Sequence, residues 1–175
     1  MNHNPERQQI TLRARIAKIG AIVSSEHFGP GNLASLRRND RFQVAGQPAF
    51  HRLLADIDQW ASEEEAPRWA TLVHVIAITA RNARSLPAGK ALAAANLSEV
   101  RFAKLMAARS EAFLDQLAIV ARYVAAKQTP IDWADFGELL FAEGRNEKWA
   151  ERLRFRIAQD YYRELAKGDR QQKSA

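Results

Sequence analysis

The sequence predicts an all-α fold. Apolar residues recur every three or four positions in successive windows, and no segment shows sustained period-two alternation of β-branched residues. Alanine is also abundant where the helical period is clearest. From Arg7 to Ser24, the residues Leu12, Ile16, Ile19 and Val23 form the stripe of a first amphipathic helix. It stops near His27-Phe28-Gly29-Pro30-Gly31, which cannot continue a helix. Asn32 can then cap a short second helix that turns Leu33 and Leu36 inward. Arg37 and Arg38 would sit at its C-terminal end, where cations suit the macrodipole.

A polar break at Val44-Ala45-Gly46-Gln47 precedes Pro48. The proline suits the first turn of a third helix with the apolar face Phe50, Leu53, Leu54 and Ile57, ending near Trp60. Glu63, Glu64 and Glu65 come just before Pro67, where negative charge favours the start of a fourth helix; its stripe is Trp69, Leu72, Val73, Ile76 and Ala80. Ser85-Leu86-Pro87-Ala88-Gly89 breaks the chain again. The expected division is an N-terminal helical subdomain, residues 1–86, and a C-terminal helical bundle, residues 87–175.

In the second half Ser98 reads as a cap, flanked by the staple pair Leu97 and Phe102, with Leu105 and Met106 also inward. Phe113, Leu114, Leu117, Val120, Ala121 and Val124 extend the period up to Lys127-Gln128-Thr129-Pro130. Asp132 can cap a helix from Trp133 to Glu143, with Asp135 at its third position, Ile131 stapled to Phe136 and Gly144 as its stop. Trp149, Leu153, Ile157, Tyr161 and Leu165 mark a last long helix, followed by a polar tail from Lys167 to Ala175.

The chain has 175 residues, 47% of them hydrophobic and 26% charged. Folding a chain of that length buries roughly 70% of its unfolded surface, enough for a real core. Cysteine is absent, which excludes disulfides, thiolate nucleophiles and cysteine-ligated metal sites. No apolar leader or membrane-spanning run is evident, so a cytoplasmic location is expected. His3, His27, His51 and His74 lack the i, i+4 pairing of a helical metal site. Ser24 and Ser25 beside His27 lack an elbow motif and an orienting acid, and Gly29 and Gly31 lack a Walker lysine. No catalytic residue, cofactor or metal is therefore assigned.

Lys and Arg number 26 against 20 Asp and Glu, a formal charge of +6 with a pI near 10.0, so polyanions are natural partners. Arg145, Arg152, Arg156 and Arg163 are spaced seven, four and seven apart, a strip that can track phosphates or a solvated face paired with Glu151 or Asp160. Other basic positions are Arg101 and Lys104, Arg109, Arg122, Arg81 and Arg84, and Arg37, Arg38 and Arg41. Arginine outweighs lysine, which favours bidentate phosphate contact. Trp60, Trp69, Trp133 and Trp149 mostly fall on apolar stripes, so core packing is expected of them rather than base stacking. The nucleic-acid-binding set is Arg37, Arg38, Arg101, Lys104, Arg109, Arg122, Arg152 and Arg156, with sequence-independent backbone contact as its mechanism.

Gly31 to Arg38, Gly-Asn-Leu-Ala-Ser-Leu-Arg-Arg, resembles the small-residue, Leu, Ala, Leu, Arg, Arg signature near the start of CasB proteins. Glu99 to Arg109 is similar to that family's Arg-Phe-x-x-Leu-Leu segment, with Met106 in place of the second leucine. The Ile131-Asp132-Trp133 step and the stretch from Lys148-Trp149-Ala150 through Asp160-Tyr161-Tyr162 resemble the family's ending. CasB is the small subunit of the type I-E CRISPR surveillance complex Cascade. The resemblance implies a non-catalytic, all-helical protein in two bundle-like halves, with two copies in a head-to-tail dimer beside other Cascade subunits. It also implies that basic surfaces hold the displaced non-target DNA strand and lie along the guide RNA and target duplex, stabilising the R-loop in antiviral defence. Arg37, Arg38 and Arg101 fall inside the matched motifs, whereas Arg122, Arg152 and Arg156 come from clustering on helix faces. The alternatives are a helical adaptor or regulator of partner proteins and a helix-turn-helix repressor, the latter opposed by Pro48 within its candidate segment.

Overall fold

The computed structural model describes residues 11–38, 40–80 and 85–173. Ten α-helices occur among them, with no strand beyond one isolated parallel bridge between Leu86 and Ile131. The first is α1 (Leu12–Val23), capped by Thr11, whose hydroxyl accepts from the Ala14 N–H at 3.2 Å. The expected start at Arg7 lies outside the described residues. A short 3-10 turn at Glu26–Phe28 follows, and Gly29 takes a φ of +80°, which only glycine adopts without cost.

Helix α2 spans Pro30–Arg38 and so begins three residues earlier than an Asn32 cap would allow. Proline already holds the φ that the first turn needs. Asn32 lies inside the helix, its amide donating to the Phe28 carbonyl at 2.7 Å. A short helix that the sequence does not announce, α3 (Arg41–Val44), leads into the expected break at Val44–Gln47, because Asp40 accepts from the Phe42 and Gln43 N–H groups. Helix α4 (Pro48–Asp56) buries Phe50, Leu53 and Leu54, with Ile57 at its end, and stops four residues short of Trp60.

Helix α5 (Ala66–Thr79) is enclosed on nearly every side, from Trp69 through Ala77 and again at Thr79. An amphipathic stripe underdescribes it, since a helix apolar all round belongs at the centre of a fold. Helices α1, α2 and α3 pack on α5 together with α8 (Ser110–Ala126) and α9 (Ala134–Ala142). Two further helices, α6 (Ala88–Ala94) and α7 (Glu99–Ala107), lead into α8, and α10 (Glu147–Lys173) closes the chain. The Ser98 hydroxyl accepts from the Arg101 N–H, and Leu97 and Phe102 are both buried, so the staple forms as expected. Met106 is only half-buried.

The expected break at Ser85–Gly89 is partly helical, and α6 makes the most extensive contact of the fold, against α10. Gly89 permits it, because a Cβ there would overlap the Ile157 carbonyl oxygen and approach Asp160 Cβ to 2.8 Å. One apolar core runs from Ile16 to Tyr161, drawing on residues to either side of position 86. Each Leu or Ile fully buried in it contributes about 1.5–3 kcal/mol. Two linkages cross the same position: Trp133 Nε1 donates to Thr79 Oγ1 at 2.7 Å, and the Asp132 N–H donates to the Leu86 carbonyl at 2.8 Å.

The C-terminal region differs from expectation in three respects. The N-cap position of α9 falls at Trp133 and not at the expected Asp132, whose carboxylate still accepts from the Ala134 N–H at 2.9 Å. Asp135 turns to arginines instead of completing a capping box. Helix α10 runs through the expected polar tail to Lys173. Leu153, Ile157 and Tyr161 are buried along its stripe, and Trp149 is 37% exposed.

Candidate nucleic-acid interface

The arginines divide by their partners. Arg37 sits at the C-terminal end of α2 and donates to the carbonyls of Ala77 at 2.6 Å and Ala80 at 3.3 Å. These oxygens belong to the end of α5, where carbonyls lack intrahelical partners, so Arg37 joins two helix ends. Arg38, next to it, is exposed and forms no ion pair with a described residue. Arg81 and Arg84 lie outside the described residues.

Of the expected α10 strip, Arg145 precedes the helix and pairs with Glu65 at 2.7 Å and Glu64 at 3.3 Å, which raise its pKa. Arg156 pairs with Asp135 at 2.7 Å and Glu138 at 3.5 Å. Arg13 of α1 reaches the same two carboxylates at 2.6 and 2.8 Å, so two cations and two anions tie α1, α9 and α10 together. Arg13's pKa is raised, chiefly by its hydrogen bond to Glu138. The acids that hold Arg145 and Arg156 therefore come from other elements, not from neighbouring α10 positions such as Glu151 or Asp160.

Arg152 and Arg163 remain exposed without an ion pair to a described residue. At 100° per residue they stand about 20° apart on α10, facing away from the buried stripe. Between them in sequence is Arg154, 5% exposed and held by Glu143 at 3.2 Å and Glu151 at 3.0 Å. Glu143 is also buried and accepts the Ser110 N–H, so this pair anchors the start of α8. Periodicity could have revealed Arg154, since Ala150, Arg154, Ile157 and Tyr161 share one helix face.

The α7–α8 surface collects a different group. Arg101 stands with its guanidinium 5.4 Å from the centroid of the Tyr123 ring, and the Lys127 ammonium is 5.8 Å from the same ring. The Tyr123 hydroxyl donates to the Asn96 carbonyl at 2.8 Å, which holds in place the ring that both cations approach. Lys104 lies one turn beyond Arg101 and is exposed. Lys127 was not expected in the set, because Lys127-Gln128-Thr129-Pro130 reads only as a helix stop. Arg109 caps carbonyls at the end of α7, those of Met106 and Ala108, and pairs with Glu151 at 3.2 Å. Arg122 on α8 is exposed and donates to buried His74 at 3.4 Å.

The tryptophans also divide. Trp69 and Trp133 are buried as core packing requires, whereas Trp60 is 77% exposed, and Trp149 lies beneath Arg156, 6.0 Å from its guanidinium carbon. Phe42 and Phe155 are each 68% exposed. Among the described residues no three His, Cys, Asp or Glu side chains converge as metal ligands, and no helix is long and apolar enough to cross a membrane.

These features define an all-helical, arginine-rich protein in which some exposed cations have no carboxylate partner among the described residues, while six arginines, four of them well exposed, are held in ion pairs. The family model for CRISPR-associated protein Cse2 matches residues 32–162, which is most of the chain. The chain belongs to that family, the CasB family of the type I-E Cascade, and is thus a subunit of a CRISPR surveillance complex that carries a guide RNA. No curated protein and no solved structure matches the chain.

Proposed function

We propose that this Cascade subunit is non-catalytic and grips nucleic-acid backbone, holding the displaced non-target DNA strand and lying along the guide RNA and target DNA so that the R-loop is stabilised in antiviral defence. The observation that carries this reading is the group of exposed cations with no carboxylate partner among the described residues. Arg101 and Lys104 stand one turn apart on α7, Lys127 shares the Tyr123 ring with Arg101 just past the end of α8, and Arg152 and Arg163 lie on α10. Cations left without internal acids can displace counterions from phosphates, and they carry no information about base sequence. Guide pairing supplies the specificity. In this reading Arg38 and Arg122 add further contacts. Arg37, Arg109 and Arg156 contribute chiefly by bracing the helices that present the others.

The complex assembled with and without this subunit tests the reading. R-loop lifetime on a fixed target should shorten markedly when the subunit is left out, whereas an unchanged lifetime contradicts the role. Exposed Trp60, Phe42 and Phe155 favour a second activity beside the first, docking to protein neighbours. Those neighbours are the other Cascade subunits and a second copy arranged head to tail in the cytoplasm.

A further inference from the structure

His74 sits in α5 with no solvent exposure. Its Nδ1 is 2.8 Å from the carbonyl oxygen of Leu36, and its Nε2 is 3.4 Å from the guanidinium of Arg122. A carbonyl can only accept a hydrogen bond and a guanidinium can only donate one. A neutral ring carrying its proton on Nδ1 is the one state that satisfies both partners. Burial acts in the same direction, lowering the His74 pKa, and the nearby Arg122 charge adds to this while Asp40 opposes it. The Leu36 carbonyl is in the last turn of α2, where carbonyls have no intrahelical N–H partner, and the imidazole supplies a donor to it.

The contact reaches the surface through one bond. Arg122 has five N–H donors, and only one of its terminal nitrogens is turned toward the ring. The side chain remains exposed, and among the described residues no carboxylate pairs with it. A long arginine otherwise samples many rotamers, and ordering such a side chain on binding costs about 0.5–1.5 kcal/mol.

We propose that His74 is a positioning residue: by accepting from Arg122 through Nε2 while Nδ1 holds α2, it preorganises the exposed guanidinium for a nucleic-acid phosphate. The inference rests on the reading of Arg122 as a phosphate contact. His74 itself touches no ligand. The geometry makes the imidazole a rigid link from the core of the fold to one cation of its basic surface.

The test uses the full chain and a fluorescent oligo-dT strand, with dissociation constants measured across a salt series. Arg122→Ala should lower the magnitude of the slope of log K against log salt by about 0.7, because one phosphate contact is lost. His74→Asn retains an amide donor for Leu36 but has no acceptor at the Nε2 position. It should weaken binding roughly two- to tenfold with the slope unchanged, because the charge stays while its orientation is lost. The double variant should bind no more weakly than Arg122→Ala alone, and His74→Gln, which can offer an acceptor to Arg122, should recover part of the loss.

A folded His74→Asn protein that binds like the wild type while Arg122→Ala binds weakly would overturn the positioning role and leave the Arg122 contact standing. Wild-type binding by Arg122→Ala would overturn the contact and the inference together. If His74→Asn does not fold, the wild-type ring decides through its two-bond proton–nitrogen correlations. An Nδ1–H tautomer whose Nε2 signal moves in Arg122→Ala supports the link, and an Nε2–H or doubly protonated ring overturns it.

Discussion

Arg152 and Arg154 stand two positions apart on α10, and their surroundings give them opposite roles. Arg154 is enclosed and paired with buried Glu143, so removing it leaves a carboxylate without its counterion. Arg154→Ala should cost about 3–5 kcal/mol in urea unfolding, whereas exposed Arg152→Ala should stay within about 0.5 kcal/mol. The sequence places both on one arginine-rich helix, and only the buried stripe running through position 154 separates them.

His74 adds a pH dependence at the same scale. Its folded pKa is depressed by burial, so the unfolded chain binds a proton more readily than the native one. The stability it contributes is present above the ordinary histidine pKa, about 6.5, and is lost as pH falls from there through the depressed value. Thermal melts from pH 7.5 down to 5.5 should show a steeper decline for the wild type than for His74→Asn.

At the scale of elements, helices with a plain apolar period were legible in the sequence. The buried faces of α1, α4, α7 and α8 match the expected stripes, apart from half-buried Leu12 and Met106. Two helices were not legible. Helix α3 has four residues and depends on one aspartate cap, too short for a period to appear. Helix α6 is small-residue-rich and starts within a Pro-Ala-Gly run that reads as a break, because its role is close approach to α10 rather than amphipathic packing.

Gly89 and Gly168 test this distinction. Gly89→Ala should destabilise the protein by about 1–3 kcal/mol, since the added methyl meets the backbone of α10, which cannot rotate away. Gly168→Ala, on an exposed part of α10 with open space around it, should instead stabilise by up to about 1 kcal/mol. Chemical denaturation of the two variants side by side checks both signs.

For the whole molecule, a formal charge of +6 understates how the charges are sorted. Glu64, Glu65, Glu111, Asp115, Asp135, Glu138, Glu143 and Glu151 pair across helix boundaries with six arginines, Arg13, Arg41, Arg109, Arg145, Arg154 and Arg156. Net charge and arginine bias foretold a basic protein, but not which cations face outward. Pairings such as Arg13 with Asp135 or Arg41 with Glu111 join positions far apart in the chain, so no local spacing announces them. Membership of the Cse2 family and the all-helical fold were both readable from ordered motifs and periodicity.

The central claim is that exposed cations without a carboxylate partner among the described residues hold nucleic-acid backbone. Its most direct test is the salt dependence of oligo-dT binding by the full chain and by the triple variant Arg101→Ala, Lys104→Ala, Lys127→Ala. With about three to five phosphates neutralised, log K against log salt should slope at about −2 to −3.5, and the triple variant should lose about 2 of that slope while keeping its fold. A flat wild-type profile, or a triple variant with the wild-type slope, contradicts the claim.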